Sequence, residues 1–414
     1  MIDFDLLNTE EYWNKSLDKL LNKDNISKEE KMQLIRLQSF DRETAINDLL
    51  NGIYLWSIPR KVLIKKHGTN KFRTVYIYEP QDRLILGVLY HAFSDYYKDD
   101  ICELCYSYKE GSNTSKAIKF LRENNVNDMY GVKIDIHAYF NSVSEEYLHK
   151  MIDELFPESC GLKTSIEALM YDNHCTFHGE LINEYKALIA GTSLASFFAN
   201  YCLREMDFEF YNSKKVYARY SDDIIVFNQS QLENDKSLKI IRQYLSERTL
   251  QINPDKYEYF NPGDEITFLG LKLKPNGVVD IADHSKQKIK KYIHNLCKKA
   301  RKQLEMNYED FYYRGNKVCN KINQKNFKCY IQNENTFGWC HYAFRYITTD
   351  ESLKEIDLYT KERLRYLKTG KNNKANFRNC TDEDFKKIGW VSLVQLYHLY
   401  KKDFDYYCEV IATV

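Results

Sequence analysis

The chain has 414 residues, a net charge of +1, 43% hydrophobic and 29% charged residues, a balance that excludes wholesale disorder and suits roughly two or three globular domains. No apolar run reaches the roughly 18 residues of a membrane span, and the start at Met1–Asp5 lacks the pattern of a secretion signal. Eleven cysteines in so long a chain predict free thiols in a reducing cytoplasm, without a membrane partner.

In chain order, the hydrophobic spacing predicts three regions and an α+β fold class. Residues 1–58 are predicted to be a helical N-terminal extension, residues 59–280 to mix strands with helices, and residues 281–414 to be an α-helical domain. The elements predicted for the middle region are a hairpin from Val62 to Tyr78 with its turn at His67–Asn70, helices over 81–125, a strand at Tyr130–Ile136, helices to about 207, a hairpin over Val216–Phe227, a helix over 234–247, and strands at Tyr257–Phe260 and Ile266–Leu273.

Two adjacent acids, Asp222 and Asp223, fall between the two β-prone runs of the hairpin over Val216–Phe227. Neighbouring carboxylates repel each other, so the pair is costly unless a cation neutralises it, and Mg²⁺ is commonly bound by one or two carboxylates plus substrate phosphates. A solvated turn is the alternative for this pair alone. The strand Tyr130–Ile136 ends near a third acid, Asp135, and three carboxylates on neighbouring strands suit two Mg²⁺ ions that promote phosphoryl transfer.

This combination resembles the palm of a reverse transcriptase, with a Tyr-x-Asp-Asp box that begins at Tyr220 and an aromatic residue, Phe140, five positions after Asp135. The resemblance implies a right-hand polymerase fold, with fingers and palm around an antiparallel sheet and a helical thumb. It implies that Phe140 clashes with a ribose 2′-OH, although a plain core aromatic is the alternative. It also implies a set of catalytic metal ligands for two Mg²⁺ ions: Asp135, Asp222, Asp223 and the carbonyl of Ile136.

Further blocks resemble the same family in the same order. Lys256 matches the lysine that approaches the pyrophosphate and acts as a general acid, with a charge-balancing role as the alternative. In the second palm motif, Gly191 permits close backbone approach, and Ser196 and Asn200 share a helix face that either touches template or nucleotide or is ordinary surface. The expected nucleotide-binding residues are Lys71, Arg73, Phe140, Gly191, Ser196, Asn200 and Tyr220.

Downstream, Phe268–Leu271 resembles the hairpin that grips the primer, with Gly270 allowing close approach. A basic run over Lys286–Lys302 carries apolar residues at helical spacing, which predicts a helix along the template–primer backbone. A solvated helix face is the alternative. The expected nucleic-acid contacts are Gly270, Lys286, Lys290, Lys291, Lys298, Lys299 and Arg301.

The second palm motif departs from the common Pro-Gln-Gly form, since Ile189 and Ala190 precede Gly191. This departure resembles bacterial defence-associated and abortive-infection reverse transcriptases, and the C-terminal region resembles group II intron-like enzymes. The resemblance implies an RNA-directed DNA polymerase that copies a structured non-coding RNA in antiphage defence, with an RNA template, a DNA primer or product and dNTPs as partners. Two alternatives stay open: a template-independent, protein-primed DNA polymerase and a catalytically idle RNA-binding module. The sequence also leaves open whether the protein forms an oligomer or binds a partner protein.

Overall fold

The computed structural model describes residues 2–22, 26–65, 72–307, 310–327, 338–372 and 376–413. The chain groups into two units, Met1–Asn261 and Pro262–Val414. Within the described ranges, none of the helices is both long and apolar enough to traverse a lipid bilayer.

The first unit combines helices with two four-stranded sheets. Its helices are α1 Phe4–Leu7, α2 Glu10–Leu21, α3 Lys28–Arg36, α4 Arg42–Asn51, α5 Pro80–Tyr96, α6 Thr114–Glu123, α7 Tyr139–Ser142, α8 Glu145–Leu155, α9 Gly161–Tyr171, α10 Leu194–Cys202, α11 Arg204–Asn212 and α12 Gln231–Glu247. Its strands are β1 Arg60–Lys65, β2 Phe72–Ile77, β3 Tyr130–Asp135, β4 His174–Phe177, β5 Glu180–Asn183, β6 Val216–Tyr220, β7 Asp223–Asn228 and β8 Glu258–Phe260.

The second unit joins a small sheet to a helical region. Its strands are β9 Ile266–Phe268, β10 Leu271–Leu273 and β11 Val279–Ile281. Its helices are α13 Asp283–Asn307, α14 Phe311–Phe327, α15 Trp339–Tyr346, α16 Glu351–Thr369, α17 Asn376–Asn379, α18 Asp382–Lys387, α19 Leu393–Lys402 and α20 Phe404–Thr413. The chain is therefore mixed α+β with a helical C-terminal region, which confirms the predicted fold class.

The N-terminal extension is helical, as its apolar spacing predicts. Trp13 and Leu17 are buried on the inner face of α2, which packs against α5. The side chain of Ser27 accepts a hydrogen bond from the backbone amide of Glu30, which satisfies one of the free donors at the start of α3.

An antiparallel sheet in the order β6-β7-β3-β8 forms the palm of the first unit. Its central strands carry fully buried aliphatic side chains, including Ile134, Ile224 and Val226. Burial of apolar side chains on β3 and β7 fixes their register, because a shift of one residue moves every side chain to the other face of the sheet. That register positions the acids at the strand ends.

A second sheet, in the order β2-β1-β4-β5, contains the predicted hairpin of β1 and β2, while its turn at His67–Asn70 lies outside the described residues. The prediction of helices alone up to about residue 207 is wrong, because β4 and β5 form a hairpin within this stretch. Two residues with left-handed backbone, His178 (φ 52°) and Gly179 (φ 87°), make its turn. Short runs of this length are ambiguous between helix and strand.

The third sheet, in the order β11-β10-β9, lies in the second unit. Strand β11 is missing from the sequence prediction, which has helix throughout after residue 280. A hydrogen bond of 2.8 Å from the Thr348 amide to the Val279 carbonyl ties β11 to the segment between α15 and α16. The predicted division into residues 1–58, 59–280 and 281–414 stays a prediction.

Candidate active site

The strand register brings three acids together at one end of the palm sheet. Asp135, the last residue of β3, pairs directly with Asp223, the first residue of β7. Asp222 lies in the two-residue turn between the paired residues Tyr220 and Asp223. The Ile136 amide donates a hydrogen bond of 3.1 Å to the Asp222 carbonyl, which ties this turn to the end of β3. Acids distant in the sequence thus meet as predicted.

The three carboxylates repel one another in a partly buried setting. Burial, followed by the charges of Asp222 and Asp135, raises the pKa of Asp223 to about 6. Burial and the Asp135 charge likewise raise the pKa of Asp222, while Lys256 and Arg73 oppose the shift. A bound cation would relieve this repulsion, and an all-oxygen donor set suits Mg²⁺.

Lys256 neutralises part of this charge. Its Nζ donates a hydrogen bond of 2.5 Å to Asp135 Oδ1. Burial lowers the pKa of Lys256, but the hydrogen bond to Asp135 and the charges of the three acids together outweigh it, so the net shift is upward and the ammonium stays protonated at neutral pH. Among the residues the structure describes, no three His, Cys, Asp or Glu side chains are arranged as a metal cluster. The carboxylate oxygens of Asp135, Asp222 and Asp223 are nevertheless the kind of donor that Mg²⁺ prefers.

Asn253 also orients Asp135, a role that the sequence analysis missed. Its Nδ2 donates to Asp135 Oδ2 at 3.0 Å, and its backbone amide donates to the Asp135 carbonyl at 2.7 Å. One carboxylate therefore receives an amide on one oxygen and an ammonium on the other. The only hint in the sequence is a polar residue directly before Pro254, in the extended conformation that a following proline favours.

The predicted nucleotide-binding residues differ in how exposed the structure leaves them. Arg73 is exposed on β2, and its charge lowers the pKa of Asp222, so the two side chains share one electrostatic environment. Phe140 is half-buried in α7, and Ser196 is half-buried in α10. Ile136 is buried, and Lys71 lies outside the described residues. The roles of all these residues stay predictions.

Gly191 permits the close backbone approach that its residue type predicts. Its φ is +103°, and a Cβ at this position would lie 2.9 Å from the Cβ of Val75 on β2. The neighbouring Ala190 carbonyl accepts a hydrogen bond of 2.7 Å from the Tyr76 amide. The loop before α10 is therefore pressed against the second sheet, and a side chain at Gly191 would force them apart.

The structure contradicts a nucleotide contact at Asn200, whose residue is only 2% exposed. Its Nδ2 donates to the Ser107 carbonyl at 2.6 Å, and its Oδ1 accepts from Ser107 Oγ at 3.2 Å. The segment that contains Ser107 covers this face of α10. The helical spacing of Ser196 and Asn200 indicates one face, but it carries no information on what packs against that face.

A fully buried ion pair contacts the turn formed by Ser221 and Asp222, which we call the aspartate turn. Both carboxylate oxygens of Asp207 bind the Arg219 guanidinium, with a shortest distance of 2.5 Å, and the Tyr217 hydroxyl donates to Asp207 at 2.7 Å. Arg219 also donates to the Ser221 carbonyl at 3.3 Å. The sequence could have indicated this pair, because Arg219 lies inside an otherwise apolar strand and a buried arginine needs a buried partner.

In the second unit, three predicted nucleic-acid contacts have partners within the protein. Lys286 and Lys290 both donate to the Glu355 carboxylate, at 2.8 and 2.5 Å. Arg301 Nη1 donates to the carbonyls of Leu367 and Lys368, at 3.1 Å each. These bonds hold α13 against α16, so the predicted phosphate contacts of these cations compete with internal ones and stay predictions.

Other predicted contacts in this unit face solvent or lie in a turn. The exposed lysines of α13 from that set are Lys291, Lys298 and Lys299. Gly270 has a φ of +82° in the turn between β9 and β10, and its carbonyl accepts a hydrogen bond of 3.0 Å from Ala282. The predicted hairpin is therefore present, while its role in gripping a primer stays a prediction.

The palm sheet and its acids define the class of a polymerase palm, and the chain belongs to the reverse transcriptase family. The family described as reverse transcriptase (RNA-dependent DNA polymerase) matches residues 64–273, about half of the chain.

Two viral polyproteins are similar over short stretches. The "Enzymatic polyprotein" of Soybean chlorotic mottle virus is 29% identical over 103 residues, which is 25% of this chain and 14% of that protein. "Polyprotein P3" of Commelina yellow mottle virus is 33% identical over 93 residues, which is 21% of this chain and 5% of that protein. The chain thus matches only a small part of these relatives.

Two telomerase structures are also similar. One, from Candida albicans in complex with a TWJ fragment of telomeric RNA, has a TM-score of 0.43 and 13% identity, covering 89% of this chain and 67% of that chain. The other, an apo telomerase from Candida Tropicalis truncated from the C-terminal domain, has a TM-score of 0.41 and 14% identity, covering 61% of this chain and 60% of that chain.

Proposed function

We propose that the protein is an RNA-directed DNA polymerase that adds dNTPs to a primer 3′-OH. The observation that carries this proposal is the pairing of Asp135 with Asp223 across β3 and β7, with Asp222 in the adjoining turn. Membership of the reverse transcriptase family supports the same reaction. Because the chain matches only part of its viral relatives, its template and partners are part of the proposal.

The side chains of the first unit suit the steps of this transfer. Asp135, Asp222 and Asp223 would hold two Mg²⁺ ions, with the Ile136 carbonyl as a further ligand, and bound Mg²⁺ neutralises charge on the attacking and leaving oxygens. Lys256 keeps its proton beside Asp135 and is therefore suited to protonate the leaving pyrophosphate.

Two further side chains would receive the nucleotide. Arg73 presents an exposed guanidinium near Asp222, where it suits bidentate contact with the triphosphate. Phe140 would restrict the space beside the sugar, so that a 2′-OH is excluded. In the second unit, exposed lysines of α13 would bind phosphates of the template–primer duplex without reading its sequence.

We propose further that the template is a structured non-coding RNA and that the DNA serves antiphage defence in the cytoplasm. The support is the resemblance of the Ile189-Ala190-Gly191 form to defence-associated and abortive-infection enzymes. The same departure supports the second candidate, template-independent synthesis primed by a tyrosine or serine of the protein itself. An idle RNA-binding module is disfavoured, because three repelling carboxylates are costly and RNA binding does not need them.

The test combines extension of a DNA primer on a defined RNA with sequencing of the product. Wild-type protein with Mg²⁺ and all four dNTPs should yield DNA complementary to the RNA, and the double variant Asp222→Asn, Asp223→Asn should yield none while still binding RNA. Glu180→Gln, an exposed acid on β5, serves as the matched control and should remain active. Incorporation by the double variant would refute the site, whereas a product unrelated to the RNA would favour template-independent synthesis. Sequencing nucleic acid that copurifies with the native protein would identify the RNA, and unrelated cellular RNA alone would count against a dedicated template.

A further inference from the structure

The segment Leu104–Tyr108 is clamped along β6 beside the candidate active site. The Arg219 amide donates to the Leu104 carbonyl at 3.0 Å, and the Tyr106 amide donates to the Arg219 carbonyl at 2.8 Å. Ser107 Oγ accepts a hydrogen bond of 2.8 Å from the Ser221 amide in the aspartate turn. The backbone of this segment is therefore fixed relative to the acids.

Tyr108 ends this segment in an unusual conformation. Its φ is +51°, in the left-handed region that bulky side chains rarely adopt. The Tyr90 hydroxyl donates to the Tyr108 carbonyl at 2.9 Å and helps to hold this geometry. Despite this rigid backbone, the residue is 40% exposed, whereas a tyrosine that only fills the core would be buried. Strained backbone conformations cluster at functional sites, where the surrounding structure maintains them.

The ring of Tyr108 contacts the predicted sugar gate, Phe140, and interacts electrostatically with Asp222. It meets Phe140 edge to face, with ring centroids 6.4 Å apart and planes at 83°. Burial and the charge of Asp222 raise the pKa of Tyr108, whereas Ser221 and Arg73 lower it. The phenol therefore lies in the same electrostatic environment as the aspartate turn. Phe140 also contacts Tyr139, with ring centroids 5.7 Å apart, but Tyr139 is buried whereas Tyr108 is 40% exposed.

We propose that Tyr108 is a positioning residue for sugar selection: its edge-to-face contact holds the Phe140 ring in the orientation that excludes a ribose 2′-OH. This inference rests on the proposed polymerase function. Aromatic pairs prefer the edge-to-face arrangement that these two rings adopt, so removal of one ring frees the other to rotate. The phenyl ring of Tyr108, rather than its hydroxyl, makes this contact, so phenylalanine should replace it.

The test measures kcat/KM for single dNTP and rNTP incorporation by wild type, Tyr108→Phe, Tyr108→Leu, Tyr108→Ala, Phe140→Ala and the double alanine variant. Tyr108→Ala should lower the dNTP-to-rNTP preference at least about tenfold, the scale set by small steric differences in a pocket, mainly through better use of rNTP. Tyr108→Phe should retain the preference, Tyr108→Leu should lose most of it, and the double variant should be no less selective than Phe140→Ala. Tyr96→Ala is the matched control, because Tyr96 is 46% exposed and meets Tyr97 edge to face at 77°.

Equal losses for dNTP and rNTP in Tyr108→Ala, or additive losses of selectivity in the double variant, would overturn the proposal and leave a merely supportive role. The same preference is also measured as the ratio of dNTP and rNTP dissociation constants with Mn²⁺ present. The binding ratio tests the role of Tyr108 separately from the polymerase function. Absence of turnover by the wild type would refute the proposed function, while the ratio of dissociation constants would still decide whether Tyr108 sets the sugar preference. Tyr108→Leu keeps a large side chain and serves if the alanine variant does not fold.

Discussion

Asparagine at position 223 should stabilise the metal-free protein at neutral pH while removing its activity. In the folded protein, burial and the neighbouring acids raise the pKa of Asp223 from its ordinary 3.8 to about 6. The folded state therefore holds this proton more tightly than the unfolded state, and stability falls as the pH rises through this interval. Above about pH 6 the acid is ionised and the penalty is complete. Asparagine carries no charge and removes the penalty.

The size of the effect follows from the two pKa values. A difference of about 2 units at about 1.36 kcal/mol each amounts to about 3 kcal/mol at pH 7.5, and to about half of that at pH 5. Water that reaches the turn screens part of the repulsion, so these are upper values. The stabilisation by Asp223→Asn should therefore grow as the pH rises from 5 to 7.5.

The assay is hydrogen exchange of the amides of β3 and β7 during urea titration in EDTA, for wild type, Asp223→Asn and the control Glu180→Gln. Glu180 is exposed, so the control should differ little from wild type at either pH. Mg²⁺ should stabilise the wild type and have little effect on Asp223→Asn. A destabilised Asp223→Asn protein, or a difference independent of pH, would refute the reasoning that the acids repel one another.

Three further predictions concern a buried ion pair, the lysine at Asp135 and the helix α13. Arg219→Met should lower the free energy of unfolding by about 3–5 kcal/mol, since it leaves Asp207 charged and buried without a cationic partner; a change below about 1 kcal/mol in urea titration would contradict this. Lys256→Ala should lower kcat for incorporation by about 10²–10⁴-fold with little change in KM, and an unaltered kcat would exclude it as the general acid. Lys291, Lys298 and Lys299 are exposed lysines of α13, and changing all three to alanine should reduce the slope of log K against log salt for duplex binding by up to about 3. An unchanged slope would exclude phosphate contacts by these lysines. Lys286 and Lys290 are paired with Glu355, so changing both to alanine should instead lower the melting temperature and leave the salt slope nearly unchanged.

The local pattern of the sequence determined the strands and the turn that carry the acids. Alternating and continuous apolar runs around Asp222 and Asp223 predict two strands with a tight turn, and the strand before Asp135 is equally apolar. The expectation that Asp135 meets the other two acids came from the resemblance to a reverse transcriptase palm, since local patterns do not say which strands pair. The β4–β5 hairpin and β11 escaped prediction, because short apolar runs are ambiguous between helix and strand.

The partners of each polar side chain were decided by the tertiary structure alone. Asn253 and Lys256 reach Asp135 from more than a hundred residues away, and Asn200 turns inward to Ser107 rather than toward a nucleotide. Along α13, helical periodicity separates apolar from basic residues, yet only the packing of α16 shows which lysines Glu355 neutralises. The physical reason is range: backbone propensity and hydrophobic spacing act over neighbouring residues, whereas hydrogen bonds and ion pairs depend on which segments the fold places side by side.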